Sequence, residues 1–281
     1  MDTEMNESKD NRFIPMTSIA NGIWQEIAKD VYGYTDQIVN LTIINKPEEH
    51  AWYLVDTGLP GSADEIKSVI EEHLADAGKP SAILLTHGHF DHVGGLIELN
   101  KGWEVPIYAH PSEFPYLTGE KAYPKPDMTV EGGLLAKISP YYPNEPIDVS
   151  PYLKELPKNL GEIGLPEWEW IHTPGHAPGH VSFFCPDKGL LLAGDAFITV
   201  KQDSFFKVLL QNEEISGPPR YLTTDWKEAK TSVQKLADLH PDIAFTGHGP
   251  LMQGKELKEG LQDLVDHFEE KAVPDYGKYI N

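Results

Sequence analysis

One recurrence constrains this chain more than anything else. Five short apolar runs each lead into a histidine or an aspartate, with glycine close by. Leu54-Val55 leads to Asp56-Thr57-Gly58, and Leu84-Leu85-Thr86 leads to His87-Gly88-His89-Phe90-Asp91-His92. Ile171-His172-Thr173 leads to Pro174-Gly175-His176, Leu192-Ala193-Gly194 to Asp195, and Phe245-Thr246-Gly247 to His248. Such runs read as buried strands, and loops leaving strand ends are where a rigid scaffold aims functional side chains. The pattern predicts a strand-built fold whose loops carry the chemistry.

The rest of the chain fits that frame. Residues 38–44 and 52–55 read as a hairpin around the turn signal Asn45-Lys46-Pro47. A helix opens near Gly61, with Ser62 and Glu65 in capping-box spacing and an apolar stripe of Ile66, Val69, Ile70 and Leu74. Residues 83–85 form a further short strand. The second half repeats the order: strands at 168–171, 181–184 and 190–193, a helix capped at Asp225, a strand at 243–245, then a helix carrying Leu257, Leu261, Leu264, Val265 and Phe268. Two mixed sheets packed face to face, with helices on the outer faces, would bury all these stripes and define an α/β (α+β) class. Residues 1–22 are expected to be a flexible tail and 23–281 a single domain. Residues 111–166, rich in Pro and Tyr and poor in periodicity, read as an insertion or lid.

Composition removes several classes. The formal net charge of −21 disfavours nucleic acid as a partner. No apolar run approaches the ~20 residues of a membrane-spanning helix. The opening MDTEMNESKDNRF lacks the hydrophobic core of a secretory signal, so cytoplasmic residence is expected. Cys185 is the single cysteine, which excludes an intrachain disulfide and a cysteine-based zinc cluster.

The 12 histidines are unevenly spread, and the densest group is His87-Gly-His89-Phe-Asp91-His92. In an extended loop, residues two apart point the same way, so His87 and His89 can grip one metal. Asp91 and His92 can reach a second beside it. His176 would add a third nitrogen to the first ion, and His248 would join Asp91 and His92. Asp195, with two oxygens, can bridge both. Imidazole and carboxylate suit zinc most simply, with iron, manganese or cobalt also accepted.

The segments THGHFDHVGG, TPGHAPGH, LLAGDA and FTGHGP, with LVDTG ahead of them, resemble the ordered signature of the metallo-β-lactamase superfamily of metallohydrolases. The resemblance spans 38–248. It implies an αββα sandwich with a dinuclear site at one edge, and the same ligand assignment. It places the chain nearer the glyoxalase II and lactonase-like branch than the true β-lactamases, which lack a bridging aspartate where Asp195 stands. Many lactonases carry a tyrosine three residues past that aspartate, where this chain has Ile198.

The activity expected is hydrolysis of an ester, lactone or thioester carbonyl by a metal-bridging hydroxide. The alternatives are a mononuclear iron enzyme resembling persulfide dioxygenases and a phosphodiesterase-like member of the same superfamily. Asp91 and Asp195 are the candidate catalytic carboxylates, Asp56 and His180 the candidate supports of the ligands. Phe90, Phe197, Phe205, Phe206, Arg220 and Tyr221 are candidate walls of a substrate pocket. The partner expected is a small-molecule substrate, with neither nucleic acid nor membrane; a homodimer is left open.

Overall fold

The computed structural model describes residues 20–74, 78–130, 139, 142–200 and 213–280. Most of the expected tail, and Phe205 and Phe206 of the expected pocket, lie outside these residues. The chain divides into two compact units. The described residues of the first fall within 20–123 and 143–156, those of the second within 124–142 and 157–280.

The first unit holds a seven-stranded mixed sheet in simple sequence order. Strands β1 (Trp24–Ala28), β2 (Val31–Asp36), β3 (Val39–Lys46) and β4 (Ala51–Val55) form an antiparallel meander. The expected turn at Pro47 is present as a short 3₁₀ turn between β3 and β4. The chain then continues through helix α1 (Ala63–His73) to β5 (Ala82–Leu84). The single turn α2 (Phe90–Val93) and helix α3 (Leu96–Trp103) lead on to β6 (Ile107–Ala109). From β4 to β7 (Leu153–Glu155) the pairing is parallel. The last of these strands lies inside the stretch expected to be an insertion, so part of 111–166 completes this sheet. Ile66 and Ile70 of α1 pack with Leu96 and Leu99 of α3 over Ile43, Leu54 and Ile83. Each such buried side chain contributes about 1.5–3 kcal/mol relative to exposure.

The predicted capping box on α1 does not form. Ser62 makes no side-chain bond to the helix N-terminus. Its hydroxyl instead bonds the carboxylate of Asp36, which also accepts the Leu59 amide at 2.7 Å. Glu65, the other half of the box, accepts the Tyr34 hydroxyl at 2.8 Å. A buried carboxylate at the end of β2 has outcompeted the local motif. Burial raises the Asp36 carboxyl above its ordinary value, the Ser62 and Leu59 bonds oppose that rise, and the charge of Glu65 adds to it. The result braces the turn that follows Asp56.

The second unit holds a five-stranded mixed sheet in the order β14-β13-β10-β9-β8. Its strands are β8 (Glu169–His172), β9 (Val181–Cys185), β10 (Leu190–Gly194), β13 (Ile243–Thr246) and β14 (Met252–Gln253). A two-stranded ribbon pairs β11 (Ile198–Val200) with β12 (Glu213–Ser216). Helices Trp226–Ala237 and Gly254–Asp266 bury Val233, Leu236, Leu257, Leu261 and Leu264 against Leu191, Ala193 and Ala244. The first of them starts as its sequence predicts: the Asp225 carboxylate accepts the Glu228 amide at 3.0 Å.

Candidate metal centre

In the first unit the site is built on the carboxyl ends of two parallel strands. β4 and β5 run in register, Val55 opposite Leu84, and the Asp56 amide donates to the Leu84 carbonyl. That pairing sets Asp56 beside Thr86 and His87. Asp56 itself has a positive φ of 61°, a conformation Asp tolerates better than most residues. The loop then packs on α2. Thr57 donates to the His92 carbonyl, and Gly94 donates to the Gly58 carbonyl. A side chain at Gly94 would begin 2.2 Å from the Pro60 nitrogen, so only glycine lets the two loops approach.

His87, His89, Asp91 and His92 are all buried. The ligand atoms of His87 and His89, of His87 and His92, and of Asp91 and His92 lie within 4.8 Å of each other. Asp56 accounts for the orientation of His92 directly and of His87 through Thr86. Its Oδ1 accepts the Thr86 amide at 2.8 Å, and its Oδ2 accepts the Thr86 hydroxyl at 2.7 Å and His92 Nδ1–H at 2.8 Å. Thr86 has one hydroxyl proton and gives it to Asp56. Its oxygen, 3.1 Å from His87 Nδ1, therefore accepts from that nitrogen. One carboxylate thus puts the protons of both His87 and His92 on Nδ1. Nε2 is left as the unprotonated nitrogen in each.

The second unit carries its own buried set, His176, Asp195 and His248. β10 and β13 are parallel, Gly194 opposite Thr246, so Asp195 and His248 leave the sheet at one edge. His176 arrives from the β8–β9 turn. Gly175 has a φ of +129°, and a Cβ there would lie 2.3 Å from the Ala229 amide; the turn sits against the start of the helix Trp226–Ala237. Asp195 Oδ2 lies 3.4 Å from Nε2 of both His176 and His248. His176 Nδ1 lies 3.2 Å from the Thr223 hydroxyl, which donates to the Pro219 carbonyl. By the same reasoning His176 is protonated on Nδ1 and turns Nε2 toward Asp195.

His180 also has a defined task. Its Nε2 accepts the Asp195 amide at 2.9 Å, and its Nδ1 donates to Thr173 Oγ1 at 2.8 Å. Among the pocket candidates, Phe90 is half-buried at the start of α2. Phe197 is fully buried in the apolar core of the second unit. The Arg220 guanidinium donates to the carbonyls of Lys271 and Ala272, and Tyr221 is buried with its ring edge-on to Tyr142. Sequence reasoning gives no task to Thr86, Thr223 or Glu113 and takes Tyr123 only as one of the pocket-walling aromatics of 111–166; Glu113 and Tyr123 bond Gly88. Thr86 and Thr173 each stand inside a motif and could have been noticed there; Thr223 has no local signal.

Each unit therefore carries buried histidines and aspartates, residue types that bind metal, on loops leaving strand ends. A family model described as the metallo-beta-lactamase superfamily matches residues 34–248, and the chain belongs to that superfamily of metallohydrolases. Among its relatives, the probable metallo-hydrolase YflN of Bacillus subtilis is 43% identical over 255 residues, covering 90% of this chain and 97% of that protein. The hydroxyacylglutathione hydrolase GloC of Haemophilus influenzae is 28% identical over 212 residues, covering 75% and 85%. Among solved structures, TTHA1623 in a di-iron-bound form matches with a TM-score of 0.53 at 25% identity, covering 79% of this chain and 91% of that one. No helix among the described residues is long and apolar enough to cross a membrane.

Proposed function

We propose that this chain is a dinuclear metal-dependent hydrolase acting on the carbonyl of an ester, lactone or thioester. His87, His89 and His176 would hold one ion, Asp91, His92 and His248 the other, and Asp195 would bridge them. The observation that carries this reading is Asp195 Oδ2, held 3.4 Å from Nε2 of both His176 and His248. One carboxylate oxygen faces histidines assigned to different ions, which is the arrangement a bridging ligand needs. The donor set fits: nitrogen and carboxylate oxygen without thiolate, with Nδ1 of His87, His92 and His176 each tied back so that Nε2 points inward. Zinc is favoured, and the same donors accept iron, manganese or cobalt. The di-iron form of TTHA1623 supports the count of two, and GloC, a thioester hydrolase by its name, supports the substrate class.

Two such ions, when bound, make hydroxide available from water at neutral pH and polarise the substrate oxygen. The chain's own residues do the rest. Asp56 fixes two ligand tautomers. Asp91, buried with its Oδ2 4.0 Å from His92 Nε2, would hold a proton for the leaving oxygen or sulfur. Asp195 is oriented through its amide by His180. The net charge of −21 supports a small-molecule substrate over nucleic acid.

The test is a panel of chromogenic esters, lactones, thioesters, phosphodiesters and a β-lactam, assayed on protein of known metal content. Turnover concentrated on the carbonyl substrates is expected. Turnover of phosphodiesters alone, or oxygen uptake with a persulfide, would refute the reading.

A further inference from the structure

The geometry points to Glu113 and Tyr123 as positioning residues that clamp the metal-binding loop at Gly88, and so set the affinity of the ion held by His87 and His89. This inference rests on the reading of those two histidines as ligands. Gly88 lies between them, and its amide is held from two sides. It donates to Glu113 Oε2 at 2.9 Å and to the Tyr123 hydroxyl at 3.0 Å. The Tyr123 hydroxyl in turn donates to Glu113 Oε2. Three groups thus close a triangle in which a carboxylate accepts both protons aimed at it.

Glu113 is wholly buried. A buried carboxylate is costly unless it is hydrogen-bonded, and bonds to a charged acceptor are worth about 1.5–3 kcal/mol each. The loop amide is one of the donors that make this burial tolerable, so the carboxylate and the loop conformation depend on each other. Fixing the Gly88 N–H fixes the peptide plane joining His87 to Gly88, and with it the relative aim of the flanking imidazoles. Tyr123 adds a direct contact. Its ring lies 4.4 Å from the His89 ring between centroids, and is itself held by stacking on Tyr116 at 3.8 Å.

The clamp also explains the glycine. Gly88 does not have a positive φ. A Cβ there would instead lie 2.8 Å from the Tyr123 hydroxyl and 3.3 Å from Glu113 Oε2 and Leu117 Cδ2. The space a side chain at Gly88 would need is taken by the clamp, so a larger residue there must displace Tyr123.

The experiment measures zinc affinity by competition with a chromogenic chelator, and the absorption of the cobalt-loaded protein. The variants are Tyr123→Phe, Glu113→Ala, Glu113→Gln, Gly88→Ala and the double variant Gly88→Ala/Tyr123→Phe. Tyr123→Phe and Glu113→Ala should each weaken binding by about 10–100-fold, the range for groups that orient metal ligands. Glu113→Gln should recover most of the loss, because its amide oxygen still accepts from Gly88. Gly88→Ala should be severe alone and add little to Tyr123→Phe, where the hydroxyl it would strike is gone. The cobalt absorption should shift in Tyr123→Phe. Wild-type chelator competition in both Tyr123→Phe and Glu113→Ala would overturn the inference. So would losses that track a collapsed melting temperature of the metal-free protein with no rescue by glutamine. If wild type itself holds no metal, the functional reading fails and the clamp with it; if wild type holds two ions and the variants match it, only the clamp fails.

Discussion

Replacing Asp56 by Asn tests the claim that one carboxylate sets two ligand tautomers. The substitution keeps size and suits the positive φ of 61°, so it isolates the hydrogen bonding. Asp56 faces three donors: the Thr86 amide on Oδ1, and the Thr86 hydroxyl and His92 Nδ1–H on Oδ2. An asparagine has one oxygen to offer where the aspartate has two. With its nitrogen in the place of Oδ2, it donates to His92 Nδ1 or to Thr86. The imidazole protons then move to Nε2, where they block the metal. With its nitrogen in the place of Oδ1, the tautomers survive but the buried Thr86 amide faces a donor, at a cost of about 1–3 kcal/mol. The metal-free protein should choose the first arrangement and keep near-wild-type stability. Loading then requires the second, so zinc affinity should fall by about 5–150-fold, the same free energy read as a binding ratio. Melting of the metal-free protein and chelator competition on the loaded protein measure the two sides. An Asp56→Asn protein with wild-type metal affinity and wild-type stability would refute the reasoning.

Three other outcomes are expected. His89→Ala should lose one metal equivalent and Asp91→Ala should weaken the other, both abolishing hydrolysis; elemental analysis after gel filtration would expose an error if either variant kept two ions and full turnover. Burial raises the folded-state pKa of Asp36 above 3.8, so its contribution to stability is fully present below that value and lost as pH climbs through the raised one. The stability of Asp36→Asn relative to wild type should therefore rise from pH 4 toward pH 7 in urea titrations, and a relative stability that fell over that span would contradict the burial argument. Asp225→Ala removes the side-chain cap of the helix Trp226–Ala237 and should cost about 1 kcal/mol, seen as a lower urea midpoint; no change would show that the cap is idle.

Much of the site could be read before the fold because its signals are local. Histidines two apart, glycines at strand ends and the Asp225 cap depend on near neighbours in sequence. The stripes Ile66/Ile70 and Leu257/Leu261/Leu264 are set by helical periodicity, and both are buried as expected. What escaped depends on distance. Thr223 supports His176 from 47 residues away. Ser62 left its expected cap because a buried carboxylate on another strand bound it more strongly. The strand Leu153–Glu155 is three residues long and mostly exposed, so no alternation marks it. Glu113 and Tyr123 stand in a Pro- and Tyr-rich stretch without periodicity, and only the folded loop at Gly88 gives them a task.

The central claim is that two ions on this ligand set act together on a carbonyl. Stepwise loading of metal-free protein with zinc, following bound metal and thioester or lactone turnover in the same samples, tests it most directly. The account predicts two bound equivalents, with turnover that stays low through the first and rises with the second. Full turnover at one equivalent, or no second ion retained under metal excess, would contradict it.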